Sequence, residues 1–279
     1  MALDKKNLVI RALSGFVYVA LIIGAVILGG IASSILFTVF AVMASYELEK
    51  AYLSQSNPSN WLAVWCFDAV LMICLLIAPY LTSGFSILIF IPLLFIRFII
   101  QLFIRQRYPL KSIATTIFAL IYTGIPLAIV IFAVGLCSNP WKIVCILAMI
   151  WINDTGAYLT GSSFGRHKMF PRLSPKKSWE GFFGGMLFNI AAAFVFYYCF
   201  DLHGEFLIRS VGAWIFIGVN VTVWATFGDL FESLLKRSLG IKDFGNIIPG
   251  HGGILDRIDS LLCVAPGLLI TLPLLLLFY

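Results

Sequence analysis

Nine apolar runs, near residues 12–29, 31–48, 61–81, 85–104, 113–135, 141–159, 181–200, 211–231 and 258–279, divide this sequence. Each is close to the ~20 residues that carry a helix across the hydrocarbon core of a bilayer. No water is available there to satisfy backbone N–H and C=O groups, so a run of this kind folds as a spanning helix. Composition agrees: 61% of the 279 residues are hydrophobic and 11% charged, with a mean hydropathy of +1.01. Soluble domains are about half apolar and a quarter charged. Too few polar residues remain to cover a water-soluble core, which excludes any sizeable soluble domain. The expected fold is all-α, a polytopic integral membrane protein of about nine transmembrane helices.

Basic residues orient such a chain, because they collect in cytoplasmic segments. With the N-terminus inside, sixteen of the nineteen Lys and Arg residues fall on the inner side, Lys142 and Arg209 fall outside, and Arg97 lies within the fourth span. That bias predicts a cytoplasmic N-terminus and an outer C-terminus. It also accounts for the net charge of +6 without nucleic acid. Lys5, Lys6 and Arg11 before an apolar run mimic a secretory signal, but no small-x-small cleavage site follows, so the run reads as the first span. The six cysteines lie in or beside apolar runs with no Cys-x-x-Cys pair and read as small buried hydrophobes.

The chain reads as a single membrane domain in which spans of 1–140 are mainly scaffold and 141–279 supplies the chemistry. Outer loops are short, whereas the inner segments 160–180 and 232–257 are longer and rich in Gly, Pro, Lys and Asp. Seven of thirteen carboxylates, Asp154, Glu180, Asp229, Glu232, Asp243, Asp256 and Asp259, fall in or beside these segments. Ionisable groups at membrane depth are costly unless paired or set in a wet cavity, which makes them functional-site candidates. Residues Asp229, Glu232, Ser233 and Lys236 follow i, i+3, i+4, i+7 spacing and share one helix face. Beyond them come Pro249-Gly250-His251-Gly252-Gly253, whose glycines let backbone N–H groups approach an anion, and then Asp256 and Asp259, one turn apart. The segment Arg166 to Ser178 is basic and suits polyphosphate. A hard cation such as Mg²⁺ takes a few carboxylates plus substrate phosphates. The residues therefore point to a phosphate-handling metal site at the cytoplasmic face, and common nucleotide and hydrolase motifs such as Gly-x-x-x-x-Gly-Lys-Ser/Thr are absent.

The stretch Ser233-Leu234-Leu235-Lys236-Arg237, Lys242-Asp243 and Pro249-Gly250-His251-Gly252-Gly253-Ile254-Leu255-Asp256-Arg257-Ile258-Asp259 closely resembles the signature of the phosphatidate cytidylyltransferases, the CDP-diacylglycerol synthases, of bacterial type. Asp154-Thr155-Gly156-Ala157-Tyr158 and Ser174-Pro175-Lys176-Lys177-Ser178-Trp179-Glu180-Gly181 resemble a second block of that family, with Ser178 where Thr is frequent. The first half matches only as a run of spans with Glu47 at the inner end of the second.

The resemblance implies that CTP and phosphatidic acid give CDP-diacylglycerol and pyrophosphate, with Mg²⁺ required and room for a second, monovalent cation. It implies Asp229 and Asp256 as principal metal ligands, with Asp154, Glu232 and Asp259 beside them. Lys236, Arg237 and Arg257 would stabilise the transferring phosphate. Ser174, Lys176, Lys177, Ser178, Ser233, His251, Gly252 and Gly253 would bind substrate. It further implies a homodimer in the bacterial inner membrane with the site facing the cytoplasm. Two rivals are a CTP-dependent lipid kinase, which would release CDP, and an anionic-solute transporter, for which the expected internal repeat is missing. Asp68 and Arg97 read as an intramembrane pair in preference to site members.

Overall fold

The computed structural model describes residues 5–54, 61–81, 86–104, 108–199, 210–250 and 252–273. These residues are mostly helical and form two compact units, Met1–Phe132 with Ile241–Ile258, and Ala133–Gly240 with Asp259–Tyr279. Among the described residues, six helical segments are long and apolar enough to cross a membrane: Val9–Leu28, Gly30–Leu53, Pro109–Leu136, Pro140–Phe164, Trp179–Cys199 and Val211–Leu239. Trp61–Leu76 and Phe90–Phe103 are shorter apolar helical stretches.

The first unit contains α1 (Lys5–Leu28), α2 (Gly30–Leu53), α3 (Trp61–Leu81), α4 (Ser86–Phe103) and α5 (Pro109–Ala119). A π-helical turn at Leu120–Gly124 joins α5 to α6 (Ile125–Leu136). One residue, Gly29, separates α1 from α2. The core of this unit is polar as well as apolar. Arg97 on α4 is fully buried, and its Nε lies 2.8 Å from Asp68 Oδ1 on α3. Its Nη1 donates to Gln101 (3.1 Å) and its Nη2 to Ser112 (3.0 Å) and Thr116 (3.1 Å), while Thr116 donates to Asp68 Oδ2 (2.6 Å). A buried guanidinium needs this many acceptors, and the expected Asp68–Arg97 pairing is present. The segment 241–258, which its sequence groups with the chemical half, packs in this unit.

The second unit contains α7 (Pro140–Phe164), α8 (Trp179–Cys199), α9 (Val211–Leu239) and most of α10 (Leu255–Thr271). Asn139 caps α7 by accepting from Trp141 N with Pro140 at the first turn, and Ser210 caps α9 by accepting from Ala213 N. Small residues let α7 and α8 approach closely. A side chain added at Gly185 would meet Asn153, one at Gly184 would meet Thr160, and one at Gly156 would meet Phe188. Asn189 Nδ2 joins α8 to α9 through Gly218 O (3.3 Å) and Thr222 Oγ1 (3.0 Å). Gly228 on α9 lies against the Asp259 carbonyl, and Ser260 Oγ donates to Ala225 O (3.4 Å), which fixes α10 along α9.

Two expectations need correction. The fold is not purely α: β1 (Lys168–Phe170) pairs antiparallel with β2 (Ser174–Ser178), with Lys168 opposite Ser178 and Phe170 opposite Ser174. The segment read as an extended basic loop is thus a helix end followed by a hairpin. As the one-face spacing of Asp229 to Lys236 requires, α9 stays helical beyond the apolar run to Leu239 and stops where Gly240 adopts φ 67°. That left-handed conformation is the usual glycine terminator. Finally, only Cys145 of the six cysteines is buried, while Cys66 and Cys199 are exposed on apolar helices.

Candidate active site

The unbroken course of α9 places Asp229, Glu232, Ser233 and Lys236 on one face, as their spacing predicts. Ser233 Oγ donates to Asp229 Oδ1 (3.4 Å), and Lys236 Nζ lies 2.7 Å from Glu232 Oε2, a carboxyl only 1% exposed. The packing of α10 on α9 adds Asp259. Carboxylate oxygens of Asp229, Glu232 and Asp259 all lie within 4.8 Å of one another.

The hairpin supplies a cation to this group. Lys177 Nζ on β2 lies 2.7 Å from Asp229 Oδ2 and donates to Thr226 O (3.2 Å). Asp154, exposed on α7, accepts from Asn153 Nδ2 (3.4 Å) and feels the charges of Asp259, Asp229 and Lys177. Counted as ionised, the four carboxylates against the ammoniums of Lys177 and Lys236 carry a formal excess of two negative charges. An all-oxygen donor set with that excess fits a hard divalent cation such as Mg²⁺.

The remaining expected residues divide by role. Lys176 and Arg237 are exposed, and Ser174 is half-buried. Ser178 is buried, and its hydroxyl accepts from Gly181 N (3.2 Å), which caps α8. Glu180 beside it accepts from Arg166 N (3.1 Å) and His167 N (3.1 Å) and meets His167 Nδ1 at 2.6 Å. That carboxylate holds the hairpin to the helix start, as does Trp179 N donating to His167 O (2.9 Å).

In the first unit, Asp256 Oδ2 accepts from Gly253 N (2.9 Å) and Phe244 N (3.1 Å). This carboxylate, expected as a principal metal ligand, also organises its own loop. Glu47 on α2 is 1% exposed and accepts from Ile254 N (3.1 Å) and Leu255 N (2.9 Å), so it caps α10 from another helix. A side chain at Gly245 or Gly253 would overlap the Glu47 carboxylate, which explains glycine at both positions. Arg11 Nε donates to Gly250 O (2.8 Å), Ser14 Oγ to Pro249 O (3.1 Å) and Tyr18 OH to Arg257 O (3.1 Å). Gly252 is half-buried and Arg257 exposed, while His251 lies outside the described residues. The resemblance marked Glu47 only by its place at the inner end of the second span and left its role open.

A family model described as "Cytidylyltransferase family" matches residues 9–275. The chain is 29% identical over 269 residues to the phosphatidate cytidylyltransferase of Staphylococcus aureus (strain COL), which covers 94% of this chain and 98% of that protein. It is 42% identical over 123 residues to the phosphatidate cytidylyltransferase of Haemophilus influenzae, covering 43% of this chain, and 44% identical over 124 residues to that of Staphylococcus epidermidis, covering 44%. Those two alignments span less than half of each relative, 42% and 46%.

Proposed function

Because this chain belongs to the cytidylyltransferase family, and is therefore a nucleotidyltransferase, we propose that it transfers CMP from CTP to phosphatidic acid. The products are CDP-diacylglycerol and pyrophosphate, and the reaction serves phospholipid biosynthesis. The observation that carries the reading is the cluster of Asp229, Glu232 and Asp259 beside Lys177 and Lys236, at the end of an apolar helix.

The nucleophile is an oxygen of the lipid phosphate, already anionic near pH 7, so no side chain has to remove a proton. It attacks the α-phosphorus of CTP; the new P–O bond forms as the bond to the β-phosphate oxygen breaks, and pyrophosphate leaves. Catalysis of such a step is chiefly positioning and charge stabilisation. Asp229, Glu232 and Asp259 would hold Mg²⁺, with Asp154 beside them. When bound, that ion supplies neutralisation of phosphate charge. Lys177 orients the Asp229 carboxylate through their ion pair, and Lys236 does the same for Glu232. Lys176 and Arg237, in the same unit, are exposed cations available to phosphates. Ser233 holds Asp229 from its own helix. Asp256 and Glu47 shape the loop that carries Gly252 and Gly253.

In this reading nine spans cross the bacterial inner membrane, the N-terminus and the acidic cluster face the cytoplasm, the lipid reaches the site from the side, and the enzyme is a homodimer. Product analysis tests it. Purified protein given labelled CTP, phosphatidic acid and Mg²⁺ should release pyrophosphate and CDP-diacylglycerol, and chelation of Mg²⁺ should stop turnover. Release of CDP with phosphorylation of a lipid alcohol would overturn the assignment in favour of a lipid kinase.

A further inference from the structure

The cations at the start of the hairpin do not enter the acidic cluster. Arg166, His167 and Lys168 line a groove of about 770 Å³ with Trp179, Glu180 and Phe183, the last three from the first turns of α8. The one carboxylate in the groove is already satisfied, because Glu180 accepts from Arg166 N and His167 N and meets the His167 ring. The guanidinium of Arg166 and the ammonium of Lys168 are exposed and have no ion-pair partner among the described residues. The groove therefore keeps an uncompensated positive charge.

Its floor is apolar. Trp179 and Phe183 stack with ring centroids 6.3 Å apart. Both are exposed, at 45% and 59%, and Leu187, one further turn along the same face, is 65% exposed. Only 17% of the most apolar window of α8 is buried within the protein. For a helix of this hydropathy, such a face belongs against lipid chains, and aromatic rings at its end belong at the membrane surface.

Fixed positive charge at the head of an exposed apolar stripe complements one class of molecule, an anionic phosphate carried on acyl chains. We propose that this groove binds an anionic phospholipid, with Arg166 and Lys168 holding the phosphate and a chain lying along Trp179, Phe183 and Leu187. A second copy of the chain fits less well, because it would bury two cations without partners. The site is separate from the acidic cluster and rests only on α8 lying in a membrane.

The test uses the full chain and its Trp179→Phe variant in phosphatidylcholine nanodiscs with a minor fraction of phosphatidylglycerol, brominating the chains of one lipid at a time. The emission difference between the two proteins reports Trp179. Brominated phosphatidylglycerol should quench Trp179 more than brominated phosphatidylcholine at the same mole fraction, with a preference of about fivefold for each cation. Arg166→Gln with Lys168→Gln should abolish the preference while quenching by phosphatidylcholine persists, and each single variant should lower it part-way should the double variant fail to fold. Equal quenching by both lipids, or a preference that survives both substitutions, overturns the proposal. Absence of quenching by either lipid overturns it in favour of a protein covering this face.

Discussion

The ammonium of Lys177 lies 2.7 Å from Asp229 Oδ2, and with its hydrogen bond to Thr226 O this contact joins the hairpin to the acidic end of α9. Neither group is fully buried, with 23% and 39% of the side chains exposed, so the pair contributes little to stability on its own. Its value is positional. Lys177→Ala should leave folding intact and lower kcat/KM for CMP transfer by about 10²-fold, the usual size for loss of one positioned charge. Lys177→Arg should restore only part, because a planar guanidinium does not substitute for a point charge. Steady-state kinetics beside thermal unfolding separates the two effects. Unchanged kinetics in the alanine variant would return the hairpin lysines to a purely topological role.

The acids themselves are predicted to act as a set. Asp229→Asn or Asp259→Asn should leave a folded, membrane-inserted protein whose turnover is lower by orders of magnitude, since a lost metal ligand removes several kcal/mol of charge stabilisation. The same variants should bind Mg²⁺ more weakly in a titration without substrate, a readout independent of activity. Glu232→Gln should behave likewise, and it should also release Lys236, its partner at 2.7 Å. Near-normal turnover with normal Mg²⁺ binding in all three would sink the cluster assignment.

Glu47 is predicted to act through the loop it caps. Glu47→Ala leaves Ile254 N and Leu255 N buried without an acceptor, at a cost of about 2–4 kcal/mol. Glu47→Gln keeps one acceptor oxygen and should lose about half as much. Gly253→Ala should resemble Glu47→Ala, because the added methyl meets the Glu47 carboxylate. Unfolding of the three variants in detergent checks the order; a Gly253→Ala protein as stable as the parent would disprove the steric account.

Legibility in the sequence follows the range of each interaction. The face of Asp229, Glu232, Ser233 and Lys236 is local, set by helix periodicity, and α9 presents it as expected. Six of the nine apolar runs were equally legible as helices long enough to cross a membrane, since length and hydropathy are local too. Lys177 meeting Asp229 was not, because it depends on a strand end reaching across to α9. The hairpin itself gave no strand signal: Lys168-Met169-Phe170 is short, and Ser174-Pro175-Lys176-Lys177-Ser178 has a proline and no β-branched residue. The capping bond of Ser178 follows from local position, since a serine just before a helix is a natural cap. Glu47 was opaque for the opposite reason: its partners are more than two hundred residues away in sequence.

The Asp68–Arg97 pair supports the last prediction, which concerns stability and not chemistry. Both side chains are almost fully buried, at 3% and 0% exposure, and Arg97 also binds Gln101, Ser112 and Thr116. Removing one member leaves the other charge buried and uncompensated, a loss of about 3–5 kcal/mol. Asp68→Asn and Arg97→Met should each lower the unfolding temperature sharply in detergent. Replacing the pair together, Asp68→Leu with Arg97→Met, should cost less than the sum of the single changes, because no unpaired charge remains. Strictly additive losses would mean that the two residues stabilise the unit independently, through Ser112 and Thr116, and not through their ion pair.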